Sequence, residues 1–368
     1  MPGRRTVLRM QRHVDLVVVG GGAMGMATAW CAAPAASVVV LERFGPAHHR
    51  GASHGGERIF RHAHENPDYV EMALAAEQAW TRLEHDTGRT LIHRTGFVEH
   101  GDPVELDRLA AVGERGGLVL ERLAGDEAGR RWPALRFAGD VLHQPAAGWI
   151  RAADALDALT RQAVERGADL RHDVRVEAIE PGGPGGAGGP GGAGGSSGVR
   201  VRAGDETFVA RAVVVTAGAW TTDLVPDLDL PLPRLTTTEE HVFFFRPRGE
   251  VPLPSFLHGG ELVRYGLPAE NGLVKVGEHH SGAVTTGDGR TFVTGPDRVA
   301  RIERYAAEWL PGLVPEVLDS TTCLYTSTPT HEFVLDRSGP VVVGAGFSGI
   351  GFKYVPEVGR RLASLALP

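Results

Sequence analysis

The stretch DLVVVGGGAMGMATAWCAAPAASVVVLER, residues 15–43, decides the fold. Apolar residues 15–19 read as a short strand that stops at Gly20-Gly21-Gly22-Ala23-Met24-Gly25, a match to G-x-G-x-x-G. The pattern predicts a helix over 24–33 and a second buried strand over 37–41 that ends at Glu42. In such a unit Gly20 makes the tight turn, Gly22 lets a pyrophosphate approach the backbone, and Gly25 lets helix pack on strand. The phosphates then sit at a helix N-terminus, where free N–H groups and the dipole favour negative charge. Glu42 lies 22 positions after Gly20, close to the roughly 20 expected of the carboxylate that bonds a ribose hydroxyl. An acid there disfavours a 2′-phosphate, so NAD or FAD is expected rather than NADP.

Working outward, 368 residues suggest two domains. Charged residues make up 23% and apolar residues 42%, the mix of a soluble globular protein. A net charge of −7 points away from nucleic acid and anionic membranes as partners. Two cysteines, Cys31 and Cys323, exclude a disulfide framework and suit a reducing cytosol. The basic leader 1–12 has no apolar run behind it, and no stretch is long enough to span a bilayer, so a cytoplasmic protein is expected.

Residues 43–64, RFGPAHHRGASHGGERIFRHAH, read as a functional loop dense in Gly, His and Arg. Five histidines lie there, but no cysteine is near and no H-x-x-x-H pattern falls on a helical face, so no metal is expected. The sharper reading is that Arg58 and Arg61 neutralise an anion beside the dinucleotide. Tyr69, Ala73, Ala76, Trp80 and Leu83 recur at helical spacing and predict a core helix from 67 to about 84. A strand is expected near 96–98, short surface helices over 106–112 and 121–129, and an amphipathic helix over 151–166 with Leu156, Leu159, Ala163 and Val164 on one face. A strand over 171–179 precedes PGGPGGAGGPGGAGGSSG, residues 181–198, a flexible glycine-rich hairpin loop that cannot bury apolar surface. Strands are then expected at 199–202, 207–210 and 212–217. Strand-like runs at 242–245, 262–267 and 273–280 mark a second, sheet-based unit, and a helix holding Val299, Ile302, Ala306 and Trp309 ends at Pro311-Gly312. The chain finishes with a strand over 341–343, a glycine segment at 344–353 and a helix over 356–365.

These residues together resemble the monomeric sarcosine oxidase and N-methyltryptophan oxidase family of FAD-dependent amine oxidases. The resemblance is carried by VVGGGAMGMATAW near the start, SHGGERIFRHA at 53–63, RWP at 131–133, VTAGAW at 215–220, GLVKVGEH at 272–279, CLYTSTP at 323–329 and GAGFSGIGFK at 344–353. It implies an α/β fold, with a Rossmann-type FAD-binding domain built from 12–90, 148–224 and 320–368, and an α+β substrate domain with an antiparallel sheet from 91–147 and 225–319.

The resemblance also implies roles. Cys323 is similar to the cysteine that bonds covalently to the flavin ring; without the family, a buried structural cysteine would be the expectation. Further FAD contacts are implied for Met24, Arg43, Ser53, Ala217, Gly218, Trp220, Gly346, Ser348, Gly349, Gly351, Phe352 and Lys353, besides Gly20, Gly22, Gly25 and Glu42. Lys275 resembles the lysine whose fixed ammonium stabilises the negative charge that forms when O₂ is reduced. His279, four positions on and on the same strand face, resembles a histidine near the substrate. Arg58 and His54 resemble basic residues whose positive charge favours reduced flavin. Arg61 and Lys353 resemble the pair that holds the substrate carboxylate, a task suited to the planar fork of arginine. Tyr265 and Tyr325 resemble aromatic residues lining the pocket.

Three departures from the family pattern place the substrate in question: Thr330-His331-Glu332 after Pro329, Glu278 where an aromatic is common, and Ile350 in the last glycine segment. The expected protein is a monomer that oxidises a secondary α-amino acid, N-methyl or cyclic, with O₂ as acceptor. A ring-amine dehydrogenase, an NAD-linked dehydrogenase and a non-catalytic nucleotide-binding scaffold are the alternatives.

Overall fold

The computed structural model describes residues 10–182, 198–225, 230, 232–250 and 252–368. The opening motif forms strand β1 (Met10–Val19), helix α1 (Ala23–Ala32) and strand β2 (Val38–Leu41). Strand β1 is longer than its apolar run. Its polar first half is held by parallel pairing with the long strand Glu206–Val215, Met10 opposite Glu206 and Val19 opposite Val215. Backbone ladder bonds, which do not depend on side-chain polarity, extend the strand beyond what hydropathy shows.

An eight-stranded sheet is built around this pair. Asp169–Arg171, β2, β1, Glu206–Val215 and Val341–Ala345 run parallel, and Val176–Pro181, Val199–Ala203 and Val334–Ser338 add antiparallel members. Side chains alternate across it with period two. Leu16 and Val18 join Met26, Trp30, Leu159, Val358 and Leu362 under the helices; Val17 and Val19 join Val201, Phe208 and Val343 on the opposite face. A parallel sheet covered on both faces reads as an unbroken apolar run, the pattern of VVVL at 38–41.

Several local expectations change. Residues 207–210 and 212–217 belong to one continuous strand through 215. The strand expected over 171–179 divides into Asp169–Arg171 and Val176–Pro181. Glu121–Leu123 is a strand, paired to Val141–Gln144, and the helix begins only at Gly125. Val164 lies on the outer side of helix Ala152–Glu165 and is exposed. Most of the glycine-rich tract, 183–197, lies outside the described residues; its ends are joined by pairing of Pro181 with Val199.

The second sheet has nine strands, in the order Ala283–Thr285, Thr236–Pro247, Val274–Glu278, Arg264–Pro268, Ser255–His258, Phe97–His100, Val141–Gln144, Glu121–Leu123, with Leu313–Ser327 also paired to Thr236–Pro247. It is antiparallel except where Ser255–His258 meets Phe97–His100. Phe243, Phe245, Phe256, Val276, Ile302, Tyr305 and Ala306 fill the core between it and helix Pro296–Trp309. Within 320–368, hydrogen bonding splits the chain: Cys323 lies on a strand of this second sheet, whereas Val341–Ala345 belongs to the first.

Helix Pro67–Thr87 links the two ends of the chain. The Asn66 side chain accepts the Asp68 N–H, Pro67 fits the first turn, and Gly88 at φ 66° ends the helix. Its fully buried Trp80 donates through Nε1 to the Lys353 carbonyl oxygen at 2.9 Å. Replacing Trp80 with Ala would leave a large void, at a cost of roughly 3–5 kcal/mol, and would loosen the segment that carries Lys353.

Candidate active site

The strand–turn–helix opens onto a cavity of about 780 Å³, within the roughly 300–1,000 Å³ of small-molecule clefts. Gly20 has φ +102°, and a Cβ there would lie 2.6 Å from the Thr216 carbonyl oxygen. A Cβ on Gly25 would fall on the Gly20 carbonyl oxygen, so this glycine serves helix packing and does not line the cavity. The N-cap residue of helix α1, Gly22, offers no side-chain cap, and the first turn holds no acid, which leaves the positive helix end facing the cavity.

Glu42 is buried beside the same turn. Burial favours its neutral form, but hydrogen bonds from His48 and from the Phe44 and Gly21 N–H groups outweigh this and hold the carboxyl below its usual range. An ionised acceptor therefore lines the cavity at the ribose position of the motif. Arg43 pairs with Asp288, which also accepts the Trp220 indole N–H at 2.9 Å. Backbone cradle, helix end and carboxylate together fit an adenine dinucleotide.

The far wall comes from other parts of the chain. Ala217, Gly218 and Trp220 follow the strand Glu206–Val215; Gly346, Ser348, Gly349, Gly351 and Phe352 follow Val341–Ala345; all line the cavity with Gly22, Met24, Arg43 and Ser53. Ser348 adopts φ +48°, uncommon outside glycine. Its Oγ donates to the Gly346 carbonyl, and its N–H to the Thr326 carbonyl at 3.0 Å. These bonds dock the glycine segment on the Cys323 strand. Cys323 is half-buried, lines the cavity, and has its Sγ 3.9 Å from the Ala52 carbonyl oxygen. Cys31 sits on α1 against the core, where burial pushes its thiol up to about 11.

Ser53, His54 and Arg58 form a loop wall. Ser53 Oγ accepts the Ala23 N–H at 2.9 Å. Arg58 donates to the carbonyls of Glu57, Ala52 and His54 and lies over the Phe352 ring, with no carboxylate in salt-bridge range among the described residues. Burial, then Arg58 and Arg290, push the His54 imidazole down to about 3, so it is neutral and supplies no charge. Lys275 donates to the Glu57 carbonyl oxygen at 2.9 Å, and burial together with Arg58 lowers it to about 7.

A second group of buried side chains adjoins this wall. Tyr325, which lines the cavity, shares a hydrogen bond with Tyr265 and has its hydroxyl 3.4 Å from His279 Nδ1. Burial pushes Tyr265 up to about 12 and His279 down to about 3, so both are neutral at neutral pH. Lys353 is 5% exposed; among the described residues its Nζ meets the Ile350 carbonyl at 3.4 Å and the Tyr354 ring at 4.5 Å. Burial and the charge of Arg61 drive the Lys353 ammonium well below its ordinary value. A buried cation lacking a carboxylate partner is costly alone and is relieved by a bound anion.

The sequence reading missed Glu99 and Arg290. Glu99 accepts from Arg61 at 2.9 Å inside the fully buried run FVEH, where a charge needs a partner; that was its one sequence signal. Arg290 lies in a polar turn and carries no such mark. Of the departures, Glu278 is turned away from the site and paired with Arg301 and Arg264, while the His331 ring lies tilted against His280 with centroids 4.2 Å apart, beside His279.

A family model described as FAD dependent oxidoreductase matches residues 15–365. The chain is 32% identical to monomeric sarcosine oxidase of Streptomyces avermitilis, over 97% of this chain and 94% of that protein. It is 33% identical to human peroxisomal sarcosine oxidase, over 96% and 92%. Among solved structures, NikD, described as an unusual amino acid oxidase essential for nikkomycin biosynthesis, is 28% identical and superposes with a TM-score of 0.82 over 97% of this chain and 94% of its own.

Proposed function

Because this chain belongs to the FAD dependent oxidoreductase family and is an amine oxidoreductase of the sarcosine oxidase type, we propose that it oxidises a secondary α-amino acid, N-methyl or cyclic. The chemistry that FAD supplies when bound is two-electron transfer: a hydride equivalent leaves the C–H beside nitrogen, an imine remains, and O₂ becomes H₂O₂. The chain would hold FAD through the Gly20–Gly25 turn, Glu42, Ser53 and the 344–353 segment, with Cys323 as its covalent anchor.

Lys353 and Arg61 bind the substrate carboxylate, and Tyr265, Tyr325 and His279 shape the pocket around the amine. Neutral His279 and the tyrosine hydroxyls offer hydrogen bonds there without placing a charge beside the reacting nitrogen. Lys275 exchanges a proton at Nζ near neutrality, and its charged form faces the oxygen step. Residues 12–90, 148–224 and the last strand–helix unit form the FAD domain, and 91–147 with 225–319 form the substrate domain. The protein acts as a cytoplasmic monomer; among the described residues no helix is long and apolar enough to cross a membrane.

The observation that carries this reading is Lys353, a buried lysine with no carboxylate in salt-bridge range among the described residues, adjoining a dinucleotide cavity. An NAD-linked dehydrogenase or a non-catalytic scaffold is not favoured, since the family match is to flavin-dependent enzymes. The test is anaerobic titration of purified protein with sarcosine, proline, pipecolate and glycine while following the yellow flavin band. Bleaching by a secondary or cyclic compound, and little by glycine, is expected. A colourless protein, or flavin that none of them bleaches, overturns the reading.

A further inference from the structure

Arg290 lies in the turn between strand Ala283–Thr285 and helix Pro296–Trp309 and is 6% exposed. Its guanidinium meets the Cys323 strand and the 49–54 loop at once. Nε donates to Thr322 Oγ1 at 2.8 Å, and Nη2 donates to the Thr322 carbonyl, both next to Cys323. Nη1 donates to the His49 carbonyl at 2.6 Å and the Arg50 carbonyl at 3.2 Å. Nη2 also reaches His54 Nε2 at 3.1 Å. Glu239 fixes the turn itself by accepting the N–H groups of Thr291 and Phe292, each at 2.8 Å.

The His54 contact has one chemical solution. A guanidinium carries donors only, so His54 Nε2 must accept, and the neutral ring then carries its proton on Nδ1. His54 lines the cavity, and no described residue bonds its Nδ1. We propose that Arg290 is a positioning residue of the cofactor site, fixing His54 as the Nδ1–H tautomer that donates to an acceptor atom of the bound dinucleotide, and fastening the 49–54 loop to the Cys323 strand. The donation from Nδ1–H to the dinucleotide rests on the reading of this cavity as the FAD site. The groups that act on His54 are all basic, Arg58, Arg290, His49 and Lys275, and with burial they oppose its protonation. Arg290 adds to that field and, among the described residues, supplies the donor that selects between the two neutral forms.

The test is ring-nitrogen NMR of the purified protein labelled with ¹⁵N-histidine, the His54 signals being those lost in His54→Gln. Between pH 6 and 8 a protonated Nδ1 and a bare Nε2 are expected. A protonated Nε2, or an imidazolium signal, overturns the proposal. Arg290→Met is expected to give a mixture of the two neutral tautomers, since burial and Arg58 still oppose protonation, and Arg290→Lys, which restores a charged donor, to recover the Nδ1–H form. An unchanged His54 in Arg290→Met also overturns it. If that variant fails to fold, the wild-type spectrum still decides. Flavin bleaching by amines is scored separately: its failure strikes the oxidase reading and leaves the tautomer result standing.

Discussion

The Arg61 guanidinium donates to the buried Glu99 carboxylate across 2.9 Å, and both residues act electrostatically on Lys353. Glu99 thus pairs with Arg61, while Lys353 has no carboxylate in salt-bridge range among the described residues. Burial raises the Glu99 carboxyl, and Arg61 opposes that rise. For an acid whose folded value is raised, stability is kept below the unfolded value and lost as pH climbs through the folded one. Arg61→Met should therefore cost roughly 3–5 kcal/mol at pH 8 and much less near pH 4.5. The Arg61→Met/Glu99→Gln double variant should recover most of the loss. Thermal unfolding at the two pH values checks this; equal losses at both would count against a buried charge as the cause.

Lys353 gives a proton-linkage prediction. Its ammonium is disfavoured without a ligand, so a small carboxylate such as acetate should bind with uptake of a proton. Affinity should fall as pH rises toward the ordinary lysine range. Calorimetry in buffers of different ionisation heat measures the uptake, and it should vanish in Lys353→Met. Binding without proton uptake would mean that Lys353 is already charged.

Lys275 sits at about 7 with its charged form favoured below that value. Reoxidation of reduced protein by O₂ should slow as pH rises through about 7. In Lys275→Met it should be slower by on the order of 100- to 1,000-fold, the usual cost of one electrostatic donor, and no longer depend on pH in this range. Stopped-flow mixing with oxygen checks both. Anaerobic reduction should change far less, and equal slowing of the two half-reactions would remove the oxygen role.

Cys323 is a half-buried strand residue whose Sγ lies within reach of the Ala52 and Leu324 carbonyl oxygens. Cys323→Ala should fold and bind FAD, but acid precipitation should release all the flavin, whereas the parent should keep its flavin in the pellet. Flavin retained by the variant would refute the attachment site, and flavin lost from the parent would refute covalency.

Gly25→Ala places a methyl group on the Gly20 carbonyl oxygen and 2.8 Å from Thr216 Oγ1. The backbone of the glycine turn must shift. We expect a loss of about 1–3 kcal/mol from overpacking and an apo protein after gel filtration, read from the ratio of flavin to protein absorbance. Full flavin occupancy in this variant would show that the turn tolerates the shift.

What the sequence determined by itself is the part governed by short-range pattern. The spacing of Gly20, Gly22 and Gly25, the buried run read at 37–41 and the helical period from Tyr69 to Leu83 each encode a local backbone state, and the structure shows the corresponding helix, a strand over Val38–Leu41 and a helix over Pro67–Thr87. Tertiary structure alone decided the charge states and their pairings. Arg61 meets Glu99 across 38 positions and Arg290 meets His54 across 236, because sheet register and loop packing, rather than sequence neighbours, bring them together. The same packing excludes water, and that desolvation is what makes His54 neutral and lowers Lys275 and Lys353. Residue type names the chemistry a side chain is capable of. Burial, which only the folded chain supplies, sets which protonation state it presents.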